Sequence, residues 1–319
     1  MALSNTVKSD LLLVLVTLLA AISWMFSREA VMLMPPLMFM AIRFLMAGSL
    51  LVPFAWQQLR RLNRQQVMRS IRVGLVFGVA MSLWVTGLHL TDHVGESAFL
   101  VSLGVVLVPV IARVVFKEKP PLSTWLALPV AITGLAFLSL ENGFRPEPGQ
   151  LFFVIAAIIF ALFYTLNTRA ANAGSSINSQ GVTIDRPRVP ALALTTLSLL
   201  TVAGVTGSLS LIRETPQMTA VDFNGLLWGW IVLSALVGTA GRFLVQTYAQ
   251  SLSSHSHGVV ILVVEPVWVA LIAMGWFGET MSAFQLVGCG LIFAALLINR
   301  WQVLRQLLKT WLFKKKYPI

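Results

Sequence analysis

Two stretches decide how this chain reads: residues 107–140, LVPVIARVVFKEKPPLSTWLALPVAITGLAFLSL, and residues 264–296, VEPVWVALIAMGWFGETMSAFQLVGCGLIFAAL. Both carry a Pro-Val pair near the start, at Pro109 and Pro266. Both follow it with an aromatic-X-Glu triplet, Phe116-Lys117-Glu118 and Phe277-Gly278-Glu279, and then with one apolar run. An offset of 161 residues superposes the two glutamates. Proline to glutamate is nine residues in the first copy and thirteen in the second. The difference of four is about one helical turn, so the proline keeps its face. A proline and a glutamate at a helix boundary are each common, since a carboxylate favours the start of the next helix. Their order, together with the features below, reads as an internal repeat.

Composition says where these runs lie. Hydrophobic residues make up 57% of the 319-residue chain and charged residues 11%, against about 25% charged in soluble domains. So few charges cannot cover a soluble globule of this length. The apolar residues also come in blocks long enough to cross a bilayer. The net charge of +11 does not point to nucleic acid. The basic residues sit in short loops between apolar blocks and in the tail Lys314-Lys315-Lys316, where they set topology and meet anionic lipid. Cys289 is the single cysteine and lies inside an apolar run, which argues against a disulfide or a metal cluster. Lys8 alone precedes the first block and no small-residue cleavage site follows. Residues 11–27 therefore read as a retained first helix.

Ten spanning helices are expected, at roughly 10–28, 35–56, 71–91, 97–116, 122–140, 149–170, 189–212, 223–248, 257–278 and 282–299. Prolines punctuate them at Pro35-Pro36, Pro120-Pro121, Pro146 to Pro148 and Pro187 to Pro190. The longest connection, Ala171 to Val189, holds Gly174-Ser175-Ser176 and Asn178-Ser179-Gln180-Gly181 and reads as flexible. With a cytoplasmic N-terminus, eighteen Lys and Arg fall inside, and only Arg28, Arg145 and Arg213 outside. Both termini are therefore expected in the cytoplasm. Five helices per half is an odd number, so the second half must enter the membrane upside down. The charges agree: Lys117-Glu118-Lys119 is basic and falls inside, whereas Gly278-Glu279-Thr280 has no basic residue and falls outside. The expected fold is all-α and integral to the membrane, with ten transmembrane helices arranged as two inverted five-helix repeats. The repeats cover residues 1–142 and 143–299, followed by a basic tail, 300–319. In the tail Trp301, Leu304, Leu308 and Trp311 recur at helical spacing. An interfacial amphipathic helix and a continuation of the last span both fit. Inverted repeats are the architecture of many secondary transporters, with the solute site near the midplane.

These residues resemble the drug/metabolite transporter superfamily, specifically its EamA-like branch with two repeat domains. Leu19 to Trp24 is similar to that family's first-helix motif ending in Trp. Arg43-Phe44-Leu45-Met46-Ala47, seven residues after Pro36, resembles its Arg-Phe-X-X-Ala second-helix motif. Ala98 to Pro109 resembles its proline-containing fourth helix. Gly238-Thr239-Ala240 with Tyr248-Ala249, then Glu265-Pro266 with Phe277-Gly278-Glu279, match the second repeat. The resemblance runs from about Leu11 to Asn299. Met25 stands where the family usually has glycine, and Thr195 lies near where the first repeat has Arg43. The resemblance implies helices one, three, four, six, eight and nine around a central cavity, with helices five and ten as scaffold. It implies export of amino acids, other metabolites or amphiphilic drugs across a bacterial inner membrane.

Ionisable residues inside a membrane are functional candidates by default. Here they are Arg43, Arg242 and Glu265, with Arg28 and Glu29 at the outer end of helix one. Glu265 precedes Pro266, whose missing N–H leaves a backbone acceptor free nearby, and broken helices of this kind line transporter cavities. A solute-binding carboxylate and a structural ion pair both fit Glu265. Arg43 reads as structural, fixing helix packing through a neighbour's carbonyls. Arg242 and Glu265 fall at matching depths on neighbouring helices, which predicts that they pair. Trp24, Trp84, Tyr164 and Trp268 are on helices implied to line the cavity, where aromatic faces give apolar area and cation–π capacity. Packing or lipid contact is the alternative for each. Trp24, Trp84, Tyr164, Arg242, Glu265 and Trp268 are thus the candidate solute-binding set.

Elsewhere, His89, Asp92, His93 and Glu96 cluster at the outer mouth. They read as a solvated loop rather than a metal or pH-sensing site, as do His255 and His257 on the inner loop. Gly74-X-X-X-Gly78 permits close helix packing. The chain shows no Ser-His-Asp order, no His-Glu-X-X-His and no phosphate-cradling glycine loop, so neither catalytic residues nor a cofactor are expected. The function expected is a secondary transporter of small metabolites working by alternating access, with proton coupling open. A passive facilitator and a non-transport membrane protein are the rivals. The expected partners are a small solute and membrane lipids, not nucleic acid, for a monomer or homodimer.

Overall fold

The computed structural model of the chain describes residues 5–90, 94–139, 148–172, 174–177, 183–218, 221–252, 256–277, 282–299 and 301. They are almost wholly helical. In chain order come α1 (Asn5–Val31), α2 (Pro36–Arg60), α3 (Arg64–His89), α4 (Val94–Phe116), α5 (Leu122–Ser139) and α6 (Pro148–Ala171). A short hairpin follows, β1 (Gly174–Ile177) and β2 (Thr183–Arg186), then α7 (Ala191–Arg213) and the single turn α8 (Thr215–Met218). The remainder is α9 (Gly225–Ala235), a π-helical segment Leu236–Gly241, α10 (Arg242–Ser251), a 3₁₀ segment Ser256–Val264, α11 (Glu265–Phe277) and α12 (Ala283–Asn299). Among the described residues six helices are long and apolar enough to cross a membrane: α1, α2, α3, α6, α7 and the continuous run α9 to α10. Shorter apolar helices lie at 100–116, 122–137, 260–276 and 286–299. The chain is a multi-pass membrane protein. Its outward residues fit that solvent, with Phe54, Val114, Leu122 and Ile212 each more than 70% exposed, as side chains facing lipid must be.

Local chemistry sets the helix ends. Pro36 opens α2, where its missing N–H costs nothing. Asn63 caps α3 by accepting from the Gln66 N–H at 2.8 Å, while the Gln66 side chain accepts from the Asn63 N–H. Glu214, at the end of α7, accepts from the Leu37 and Met38 N–H groups at 2.9 and 2.8 Å and from the Ser210 hydroxyl at 2.8 Å. A buried carboxylate therefore sits on the positive end of α2 and satisfies amides that no helical carbonyl reaches.

Packing is closest where glycines let backbones meet. The broadest helix contacts are α2 on α7, α5 on α12, α3 on α6 and α7, and α4 on α6. A Cβ placed on Gly74 would lie 2.5 Å from the Thr201 Cβ, and one on Gly78 2.9 Å from the Val205 Cβ. The Gly74-X-X-X-Gly78 face is thus the seat of α7. One end of the bundle is tied by polar contacts. Ser9 donates to the Ala249 carbonyl at 2.8 Å and Lys8 to the Tyr248 hydroxyl at 3.1 Å, joining the start of α1 to the end of α10. Thr124 donates to the Asn299 side chain at 2.8 Å, joining the start of α5 to the end of α12.

Four expectations change. The connection after α6, read as flexible, carries an antiparallel ladder in which Gly174 faces Arg186 and Ile177 faces Thr183. Span 223–248, read as one spanning helix, is wound as a π-helix over Leu236–Gly241. Span 257–278, in which a break was expected at Glu265-Pro266, is 3₁₀ for the whole stretch Ser256–Val264 and becomes α-helical at Glu265. Several helices also extend past the expected edges, α3 beginning at Arg64 rather than near 71. Asp92, His93 and His255, the side chains of Glu96 and His257, Gly278-Glu279-Thr280 and the tail beyond Trp301 lie outside the described residues.

Candidate functional site

A small cavity lies at the centre of the bundle, walled by α1, α2, α3, α4, α6, α10 and the 3₁₀–α11 junction. Its volume is about 30 Å³, room for about two waters and no metabolite. Five of the six candidate residues line it: Trp24, Trp84, Tyr164, Arg242 and Glu265. Trp268 does not. It is half-buried, and its indole N–H donates to the Thr17 hydroxyl at 3.0 Å, tying α11 to α1 away from the cavity wall.

The charged wall centres on Glu265. One carboxylate oxygen accepts from the Trp24 indole N–H at 2.8 Å, and the other from Arg242 Nη2 at 3.3 Å. The two charged side chains are 11% and 13% exposed, so the pair is largely dry but reachable from the cavity. The Arg242 contact is single and long, well short of a bidentate fork, and opening it costs correspondingly less. The local winding creates this arrangement. The π segment ends at Gly241, immediately before Arg242, and the 3₁₀ segment ends at Val264, immediately before Glu265. Pro266 supplies no N–H to the preceding turn, so a change of winding is accommodated there.

Arg43 is 1% exposed and lines the same cavity. Nε donates to the Thr239 hydroxyl, Nη1 to the Ser27 hydroxyl at 2.7 Å, and Nη2 to the Ser23 hydroxyl at 2.7 Å and the Gly238 carbonyl at 3.1 Å. Four donors thus hold α1 and the π segment against α2. This is the packing role the sequence suggested, made mainly through hydroxyls rather than carbonyls. No carboxylate faces Arg43 among these partners. The cavity lining therefore carries two guanidinium groups against one carboxylate.

The rest of the lining is mainly aromatic and apolar. Trp24 and Trp84 meet edge to face with ring centroids 4.9 Å apart. Tyr164 lies 6.2 Å from Phe160, which reaches the cluster of Phe77, Phe163 and Phe243. Met81, Val101, Val105 and Leu262 complete this side. Phe243 and Ser23 adjoin named candidates in sequence and were within reach of that reasoning. Val101 and Leu262 carry no mark of their role in the sequence.

Other candidates stand apart. Arg28 donates to the Leu88 carbonyl at 3.0 Å, and Glu29 accepts from the Trp276 indole N–H at 3.3 Å. His89 lines a separate pocket with Glu214. Among the described residues no group of three metal-ligating side chains converges.

Comparison with known proteins bears on the whole chain. The family described as "EamA-like transporter family" matches residues 7–140 and 147–301. An uncharacterised transporter of Archaeoglobus fulgidus is 23% identical over 293 residues, covering 91% of this chain and 85% of that one. A second uncharacterised transporter of the same organism is 22% identical over 220 residues, covering 69% and 72%. A protein known from a crystal structure superposes with a TM-score of 0.69 at 17% identity, covering 92% of this chain and 98% of the other. That likeness concerns the fold alone.

Proposed function

Because the chain belongs to the EamA-like transporter family, and is thus a membrane transporter and not an enzyme, we propose that it moves small amphiphilic metabolites, amino acids or close relatives, by alternating access through the central cavity. The observation that carries this reading is the Trp24–Glu265–Arg242 constellation set against an aromatic wall. A solute carboxylate can replace Glu265 on Arg242, and a solute ammonium can take the vacated carboxylate. An amino acid does both at once, with its side chain against Trp84 and Tyr164. Two cations against one carboxylate also favour a solute bearing an anionic group. Export from the cytoplasm of a bacterial cell is the direction proposed.

The architecture proposed is ten spans in two inverted repeats, 1–142 and 143–299. Its support is the pairing of elements. Under exchange of the halves, α2 on α7 and α5 on α12 map onto themselves, and α3 on α6 maps onto α9–α10 on α1. The cavity is too small for a metabolite, which fits an occluded state between two open ones. Proton coupling, where present, would act at Glu265.

Flux in reconstituted vesicles tests the function. An amino-acid panel is loaded with and without an imposed pH gradient. Saturable flux of amino acids that Arg242→Ala abolishes supports the proposal, and flux indifferent to that change sinks it. Unchanged gradient-driven flux in Glu265→Gln removes the proton from the mechanism. Reporter fusions test topology: Gly143 and Pro216 should lie on the side opposite Ser179 and Ile319.

A further inference from the structure

A second pocket, remote from the central cavity, opens at the end of the bundle where α3 begins and α4 and α6 end. Its volume is about 210 Å³. Arg69 and Arg72, one turn apart on α3, and Arg169, near the end of α6, line it together with Phe116. Among the described residues no carboxylate lines it. Glu118, outside the lining, accepts from Arg169 Nη1 at 2.9 Å. Two of the three guanidinium groups are held in place. Arg69 Nη1 donates to the Pro187 carbonyl at 2.9 Å, and Arg169 lies over the Phe116 ring at 4.5 Å besides its bond to Glu118. Arg72 is exposed.

The rest of the pocket is apolar. Val73, Leu166 and Ala170 form the wall beneath the arginines. Beside it the helix surfaces are those of a lipid-facing belt, with Val114 72% and Val115 53% exposed. Guanidinium groups at the aqueous rim above an apolar slot match a phosphate carrying acyl chains. Arginine forks bind phosphate oxygens with charge-assisted bonds, and basic pockets between membrane helices hold anionic headgroups. A free phosphate ion would use the arginines and leave the apolar wall in contact with water. We propose that this pocket is a binding site for the phosphate of an anionic membrane lipid, bridging α3 and α6 at one membrane surface.

The test uses the full chain in detergent and in phosphatidylcholine vesicles with or without phosphatidylglycerol. Native mass spectrometry reads which lipid stays bound, and thermal unfolding reads the effect of either lipid or of inorganic phosphate alone. Phosphatidylglycerol should be retained in preference to phosphatidylcholine. Arg72→Gln should weaken that retention about tenfold, the loss of one charged hydrogen-bonding partner. Arg60→Gln, at the same end but outside the pocket, should leave it unchanged, and Arg72→Lys should fall between. Stabilisation by inorganic phosphate with no preference between the lipids would overturn the lipid and leave a soluble phosphate site. Equal retention by the parent chain and Arg72→Gln would overturn the site altogether. The inference does not rest on the central cavity, so Glu265→Ala should keep its lipid even where transport is lost.

Discussion

Helix α3 and the described part of α4 run as unbroken α-helix and bring Met81, Trp84, Val101 and Val105 to the central cavity, none of them charged. The two spans at 225–251 and 256–277 each change winding part-way and bring Arg242 and Glu265. Displaced by the 161-residue offset of the repeat, Arg242 falls on Met81, which lines the same cavity. Of these four spans, the two in the first half supply an apolar wall from regular helices and the two in the second a charged wall from irregular ones, while Arg43 on α2 adds one further charge to the lining. The link is physical. A regular helix spends its carbonyls on itself, so it has little to offer a charge in a low-dielectric site. Where winding changes, backbone groups turn outward, as the Gly238 carbonyl does toward Arg43. Each charge lining the cavity meets such a change of winding: Arg242 and Glu265 follow one directly, and Arg43, on regular α2, bonds to the Gly238 carbonyl inside the π segment.

The sharpest challenge to this comparison is Arg43→Met. It leaves the Ser23, Ser27 and Thr239 hydroxyls and the Gly238 carbonyl without their guanidinium partner. A loss of about 3 kcal/mol is expected, seen as a much lower unfolding temperature in detergent. Arg43→Lys should recover little, since one ammonium cannot span three helical segments. A normal melting profile in Arg43→Met would mean that the π segment is not held by these bonds.

Arg242→Ala and Glu265→Ala come next. Each leaves a dry, unpaired charge at a cost of several kcal/mol, and each should reduce flux in vesicles at least about hundredfold. The swap Arg242→Glu with Glu265→Arg should restore part of it. Full flux in either single variant would show the charged wall to be structural.

Gly238→Ala examines the winding itself. Its Cβ would meet the Ser23 side chain and approach Arg43 Nη2 at 3.2 Å, so about 1–3 kcal/mol should be lost to overpacking. Trp24→Phe keeps the ring and removes the 2.8 Å bond to Glu265, which should weaken solute binding about tenfold in a saturation assay. Gly204→Ala sits at the bottom of the scale. Nothing lies within 4 Å of its Cβ position, so stability should be unchanged or raised by about 0.4–1 kcal/mol. Equal damage from Gly238→Ala and Gly204→Ala would dissolve the distinction between the broken helix and the regular one.

Much of the cavity lining was legible in the sequence. The Arg242–Glu265 pair followed from depth alone: both lie a few turns from the same end of adjacent helices, and opposite charges in a membrane attract without competition from water. Trp24 and Tyr164 were legible as aromatics on the right helices. Trp268 was misplaced because helix number says nothing about which face turns inward, and it bonds to Thr17 instead. The bond from Trp24 to Glu265 was invisible, since it joins residues 241 apart in sequence. Glu214 was missed for the same reason: its value lies in the amides of Leu37 and Met38, which only packing of α7 on α2 brings near.

Membrane insertion, the apolar spans and the charge asymmetry were determined by the sequence alone. They depend on quantities summed along the chain, namely run length, composition and loop charge, which no tertiary arrangement alters. The winding of the 225–251 and 256–277 spans, the face each aromatic presents and the acceptors gathered around Arg43 were decided by the tertiary structure. A buried charge is tolerated only if several helices converge on it with matching groups. That convergence depends on the register between helices, and register is a property of packing, not of any one segment.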